Sequence, residues 1–167
     1  MKKKIAIVNQ RYGIEVNGGS ELHARMLAER LTEDYDVEVL TTCAMDYLTW
    51  ENHYPEGQHI INNIKVKRFI VEKTRDMDFF NEIYKRLLTT ECGNKKTEQE
   101  WIDSQGPYCP KLIEYIKENE ANYDVFIFVT YLYYLTVRAI GLVRDKALLV
   151  PTAHDEPPIY FDFFTFT

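Results

Sequence analysis

Cysteine is scarce and unpatterned in this chain: Cys43, Cys92 and Cys109 are 3 in number and widely spaced. No Cys-x-x-Cys pair and no histidine–cysteine cluster at zinc spacing accompanies them, so the expectation is reduced thiols, with no metal site and no disulfide framework. Basic residues are outnumbered, 20 Lys and Arg against 26 Asp and Glu, for a formal net charge of −6. A nucleic-acid surface needs a basic patch, so no nucleic-acid partner is expected, and Lys2-Lys3-Lys4 reads as a solvated chain start. Long hydrophobic runs are missing as well. The run after Lys4 is too short for a signal-peptide core and nothing reaches transmembrane length, which predicts a soluble, cytoplasmic chain. The chain also lacks a Gly-x-Ser-x-Gly nucleophile elbow and a P-loop lysine, which disfavours serine-nucleophile chemistry and nucleotide hydrolysis. No linker, repeat or low-complexity tract divides it, so residues 1–167 read as one domain.

What is present is enough for one sizeable core: 167 residues, 46% of them hydrophobic. Ile5-Ala6-Ile7-Val8 has the length and uniform apolarity of a strand buried on both faces of a parallel sheet. A loop over 9–17 leads to Gly18-Gly19 and a helix over 20–31, in which Leu27 and Leu31 lie one turn apart beside Ala24 and Ala28. Ser20 is the expected cap and Glu21 a favourable first-turn acid. Val37-Glu38-Val39-Leu40-Thr41-Thr42 closes a β-α-β unit, followed by an aromatic loop over 43–57 holding Tyr47, Trp50, His53 and Tyr54. That loop reads either as a packed surface loop or as part of a ligand site at the carboxyl end of a strand. Residues 59–71 form a hairpin turning at Asn62-Asn63. A helix over 76–90 presents Phe79, Ile83 and Leu87, and 91–99 is an exposed connection. A short helix with Trp101 stops at Gly106-Pro107, and Pro110 opens the next, over 111–119. Val125-Phe126-Ile127-Phe128-Val129-Thr130 is a strong strand signal, with a helix over 131–143 and a strand over 146–151 beyond it. Strands alternating with helices predict an α/β fold: a doubly wound, mainly parallel Rossmann-like sheet with helices on both faces.

Three loops leave carboxyl ends of strands with chemistry in them: 9–20, 130–134 and 151–158. In a doubly wound sheet these ends share one rim. Gly18-Gly19 reads either as a tight turn or as a phosphate site, because free amides at a helix start favour anions. It is not the dinucleotide fingerprint, which needs three spaced glycines directly after the strand. His154-Asp155-Glu156 follows a buried strand and precedes Pro157-Pro158, which points His154 into the cleft, with its neighbours capping or forming salt bridges. Trp101, Gln105 and Tyr108 either stack on and hydrogen-bond a sugar-like ring or plug a helix end. His23, on the first helix, reads as a packing or solvent-contact residue, and His53 and His59 carry no partner signal.

Taken together, Lys4-Ile5-Ala6-Ile7-Val8, Gly18-Gly19-Ser20-Glu21-Leu22-His23 and Val37-Glu38-Val39-Leu40-Thr41-Thr42 resemble the start of glycosyltransferase family 4. Asn62-Asn63-Ile64-Lys65-Val66-Lys67-Arg68-Phe69 is similar to that family's hairpin before the third strand. Tyr131-Leu132-Tyr133-Tyr134 and Val150-Pro151-Thr152-Ala153-His154-Asp155-Glu156-Pro157 resemble a bacterial branch of it. The resemblance covers nearly the whole chain. It implies the amino-terminal, acceptor-side half of a two-domain enzyme of the GT-B fold, the donor-binding domain lying beyond Thr167 on the same polypeptide. The absence of a terminus signal at Phe163-Phe164-Thr165-Phe166-Thr167 fits the expectation of a truncated chain, inactive alone. The chemistry implied is retaining transfer from a nucleotide-sugar co-substrate to a glycan, lipid-linked or small-molecule acceptor, with no required cofactor or metal. His154 is then the catalytic candidate. Gly18, Gly19, Tyr131, Asp155, Glu156, Trp101 and Gln105 are the substrate- and phosphate-binding candidates. The full enzyme is expected in the cytoplasm, with peripheral association at the inner face of the membrane open to it. The residues alone leave a second class open, a non-catalytic Rossmann-like module that binds a phosphorylated or sugar ligand.

Overall fold

Ile5 and Ile7 point to one side of the first strand and Ala6 and Val8 to the other, and both sides are buried. That strand, β1 (Lys4–Val8), is therefore interior to the sheet. The computed structural model describes residues 2–164, apart from the Phe163 side chain. The other strands are β2 (Asp36–Thr42), β3 (Gly57–Ile61), β4 (Ile64–Phe69), β5 (Val125–Val129) and β6 (Ala147–Val150). They form a six-stranded sheet in the order β3-β4-β2-β1-β5-β6. Every pairing is parallel except β3 with β4, whose hairpin turns at Asn62 and Asn63 with φ of 48° and 62°. Asn adopts that left-handed backbone at little cost, which is why the pair marks the turn in the sequence.

The sheet carries helices on both faces. On one face α1 (Gly19–Leu31) lays Ala24 and Ala28 against Ile5, Ile7, Val37 and Val39. On the other, α2 (Met77–Thr89), α3 (Lys95–Gln105), α4 (Pro110–Asn119) and α5 (Tyr134–Ala139) cover Ala6, Val8, Phe126 and Phe128. The α/β, doubly wound, mainly parallel fold expected from the alternation is thus the observed one. The crossover between strand orders falls between β1 and β5, where open α/β sheets form their crevice.

Four details differ from the sequence reading. Gly18, not Ser20, is the N-cap of α1, and Ser20 lies inside the helix. The stretch 91–99 is not a plain exposed connection: the Asn94 side chain accepts from the amides of Lys96 and Thr97 and starts α3 early, burying Thr97 and Glu98. In α2 it is Phe80 that packs on the core beside Ile83 and Leu87, whereas Phe79 is half exposed. The helix expected over 131–143 begins only at Tyr134, continuing as a 3-10 segment over Ile140–Lys146. The reason is tertiary: the Tyr131 amide donates to Pro151 O, which carries the pairing of the β5 and β6 segments past Val129, and Tyr133 is extended at φ −100° and ψ 157°. Of the aromatic tail, residues 165–167 lie outside the described residues. Among the described residues no helix is long and apolar enough to cross a membrane.

Candidate functional site

Past β1 the chain keeps its register with β2 for two more residues. The Asn9 amide donates to Leu40 O, and Gln10 O accepts from the Thr42 amide and, at 2.6 Å, from the Thr42 hydroxyl. This delivers Arg11 to the rim with its side chain folded inward and only 6% exposed. Its Nε and Nη2 both donate to Glu21 Oε1, at 3.0 and 2.6 Å, and Nη1 donates to Met45 O at 2.8 Å. Glu21 is itself 8% exposed, and its second oxygen accepts from the Ser20 hydroxyl. The carboxylate folds back over Gly18: a Cβ there would sit 2.1 Å from Oε2, and Gly18 holds φ at 150°. Only glycine combines that backbone with that approach.

A second knot lies alongside. Trp50 Nε1 donates to Gln105 O at 2.8 Å, and Arg75 donates to the same carbonyl through Nε and Nη2 and to Tyr47 O through Nη1. The Trp50 ring meets Tyr133 edge-on at 5.4 Å, and Gly106, at φ 67°, leaves room for Trp50 where a Cβ would stand 3.0 Å from the indole. Burial holds the Arg75 guanidinium below its usual pKa and pushes the Tyr133 phenol up, with Glu21 adding to the latter. Between these knots and the 9–17 loop opens a crevice of about 410 Å³, lined among others by Arg11, Glu15, Asn17, Asp46, Tyr47 and His53. Glu15 is held below the usual carboxylate range by its own backbone amide and then by Tyr54; Asp46 is held down chiefly by the Thr49 amide.

The β5–β6 end of the rim is simpler. The Thr130 amide donates to Val150 O, and the Thr152 hydroxyl donates to the Thr130 hydroxyl at 3.1 Å, so the segment after β6 runs beside the one after β5. Tyr131, 5% exposed, donates to Glu156 Oε1 at 2.8 Å; burial first and this bond second raise the Tyr131 pKa. Asp155 is exposed and accepts from the Tyr160 hydroxyl. His154 is exposed and has no hydrogen-bond or ion-pair partner among the described residues.

The structure therefore sets Gly18 and Gly19 at the head of α1 and places Tyr131, His154 and Glu156 on the segments beyond β5 and β6. Trp101 stands apart. It is 1% exposed, enclosed by Phe80, Tyr84 and Phe161, and so has no ring face open to a ligand. Gln105 is 6% exposed and holds Trp50 and Arg75 through its backbone carbonyl. Both therefore favour the plug reading over direct stacking on a sugar. Arg11 and Arg75 carry much of the geometry and were not singled out by the sequence, because an arginine in a loop has no periodicity to betray it. Among the described residues no cluster of three or more His, Cys, Asp and Glu side chains could hold a metal ion. Neither protein-family models nor curated proteins yield a match to this chain.

Proposed function

We propose that this chain is the acceptor-side half of a retaining glycosyltransferase of the family 4 type, working with a donor-binding domain on the same polypeptide. The observation that carries the reading is the crevice between the loops that follow β1 and β2, on the same carboxyl-end rim as the His154 segment, which the Thr130–Val150 and Tyr131–Pro151 bonds hold beside the chain leaving β5. In this reading the crevice orients an acceptor hydroxyl toward a nucleotide-sugar held by the facing domain. The leaving phosphate oxygen takes the acceptor proton as the new glycosidic bond forms on the same face. His154, exposed on the segment beyond β6, polarises the region of the transferred sugar. Donors fixed on the developing phosphate charge supply a large share of the rate, and most of them belong to the facing domain. The enzyme acts in the cytoplasm on a sugar or lipid-linked acceptor.

The test is to express the polypeptide encoded by the full reading frame and follow sugar transfer from a panel of nucleotide-sugars. Incorporation into an acceptor is expected from one of them. A reading frame with no second Rossmann-like half, or no transfer across the panel, refutes the proposal. One observation favours a second reading, a binding module without chemistry: among the described residues no side chain hydrogen-bonds or ion-pairs with His154. Micromolar binding of a nucleotide-sugar by the 167-residue chain alone would favour that module.

A further inference from the structure

We infer that the crevice between the 9–17 and 43–56 loops takes an uncharged, hydroxylated ring and turns away phosphate; this rests on the acceptor-side reading and narrows it to a substrate class. An anion needs a free cation or an open helix start. Here the cation at the crevice wall, Arg11, has its guanidinium engaged with Glu21, Met45 O and Asn17 O. The head of α1 has the chain's own carboxylate folded against its cap residue, and Glu21 is held there by Ser20 and Arg11. The neighbouring guanidiniums offer an anion little: Arg75 is engaged with Gln105 O and Tyr47 O, and Arg68 with Tyr12 O and the Tyr54 ring, its unpartnered Nε being buried and off the crevice lining. What faces the opening instead is Glu15, Asp46 and Glu51, all exposed, the first two held below the usual carboxylate range, so that three carboxylates outnumber the one exposed imidazole there, His53. An incoming phosphate meets like charge.

For a neutral ring the same crevice is well furnished. Tyr47 is 51% exposed at its wall and offers an apolar face against which a pyranose can lie. Directly past β1, Asn9 and Gln10 are each 1% exposed, yet Asn9 Nδ2 and both polar atoms of Gln10 have no protein partner. Asn9 and Gln10 directly precede Arg11 in the chain but do not line the crevice, so bound water rather than a ring hydroxyl suits these three atoms. A volume of about 410 Å³ accommodates one sugar ring with its solvent.

The experiment is amide chemical-shift mapping of the full 167-residue chain, isotope-labelled, against a methyl hexopyranoside, the corresponding hexose 6-phosphate and inorganic phosphate. The glycoside is expected to move amides of residues 9–17 and 43–54, with the sugar phosphate at least tenfold weaker and inorganic phosphate silent. Tyr47→Ala, at an exposed site that leaves the fold in place, is expected to weaken the glycoside at least threefold. Glu21→Gln, where it folds, is expected to let inorganic phosphate shift the same amides. Phosphate or sugar phosphate binding the parent chain as well as the glycoside does, silence toward the glycoside, or an unchanged Tyr47→Ala overturns the inference. A full enzyme that transfers sugar onto a phosphorylated acceptor would keep the transferase reading and sink this one alone.

Discussion

The two ends of the rim are built on opposite plans. At the β1–β2 end, Arg11, Glu21, Trp50, Arg68 and Arg75 are buried or half-buried, and their polar groups are bound largely to one another or to backbone carbonyls. At the β5–β6 end the half-buried bonds from Tyr131 to Glu156 and from Thr152 to Thr130 anchor a segment whose other titratable groups, His154 and Asp155, are exposed. The first end behaves as a rigid wall. The second is a strand-end extension held mainly through its backbone, the kind of element that opens locally at low cost. A site drawn from both has a fixed half that positions and a loose half that adapts.

Breaking the wall should produce the largest effect. Glu21→Ala strands the Arg11 guanidinium, only 8% exposed as a side chain, and is expected to cost about 3–5 kcal/mol in urea unfolding. The double replacement of Arg11 and Glu21 by Met should recover most of that loss, because the desolvation penalty goes with the charges. A loss under about 1 kcal/mol for Glu21→Ala would erase the distinction between the two ends.

The glycine pair separates wall from surface at adjacent positions. Gly18→Ala must push aside Glu21 and hold a non-glycine residue at φ 150°, for an expected loss of about 1–3 kcal/mol. Gly19→Ala meets nothing within 4 Å and should be neutral or stabilising by about 0.4–1 kcal/mol. Equal effects at the two positions would show that the carboxylate does not press on Gly18.

That contrast also marks what the sequence could and could not convey. The sheet was legible because Ile5-Ala6-Ile7-Val8 and Val125-Phe126-Ile127-Phe128-Val129 are apolar on both faces, and only a strand between two helical layers tolerates that. The hairpin was legible from Asn62-Asn63. The glycine pair, by contrast, pointed to a helix start without saying which anion sits there; the occupant found beside it, Glu21, is three residues on and looks in sequence like an ordinary first-turn acid. Trp101 drew notice as an aromatic near a proline, but the stack of Phe80 and Tyr84 on it depends on how α2 meets α3, which no local pattern records. The Trp50–Gln105–Arg75 knot joins residues as many as 55 positions apart, and its acceptor is a backbone carbonyl that carries no residue signature at all.

At the looser end, Tyr131→Phe removes one bond to a carboxylate and is expected to cost about 1–2 kcal/mol near neutral pH. Its pH dependence sharpens the comparison. The folded-state pKa of Tyr131 is raised, by burial first and then by Glu156, above the ordinary phenol value of about 10. A group raised in the folded state contributes fully below its unfolded pKa and loses that contribution as pH climbs past it. The parent chain should therefore lose stability above about pH 10 more steeply than Tyr131→Phe does. Tyr12 at the wall, pushed up to about 12 chiefly by burial, keeps a similar slope in both proteins. Urea midpoints between pH 8 and pH 11 read the difference, and parallel curves would show that Tyr131 is not buried in solution.

The smallest expected stability change belongs to the residue of most chemical interest. His154 is exposed and without a partner among the described residues, so His154→Ala should alter unfolding by less than about 0.5 kcal/mol. In the full enzyme the same substitution is expected to lower transfer by about 10²–10⁴-fold, the range for one positioned polar group acting at a transition state. The two readouts must diverge for the proposal to hold. A residue that served the fold would move both together, and a mere surface histidine would move neither. Divergence would also explain the open plan of this end of the rim: on the proposed reading, a side chain with no partner among the described residues would gain its orientation from substrate and from the proposed donor-binding domain. Unchanged transfer by His154→Ala would leave the wall at Arg11 and Glu21 as a binding surface alone.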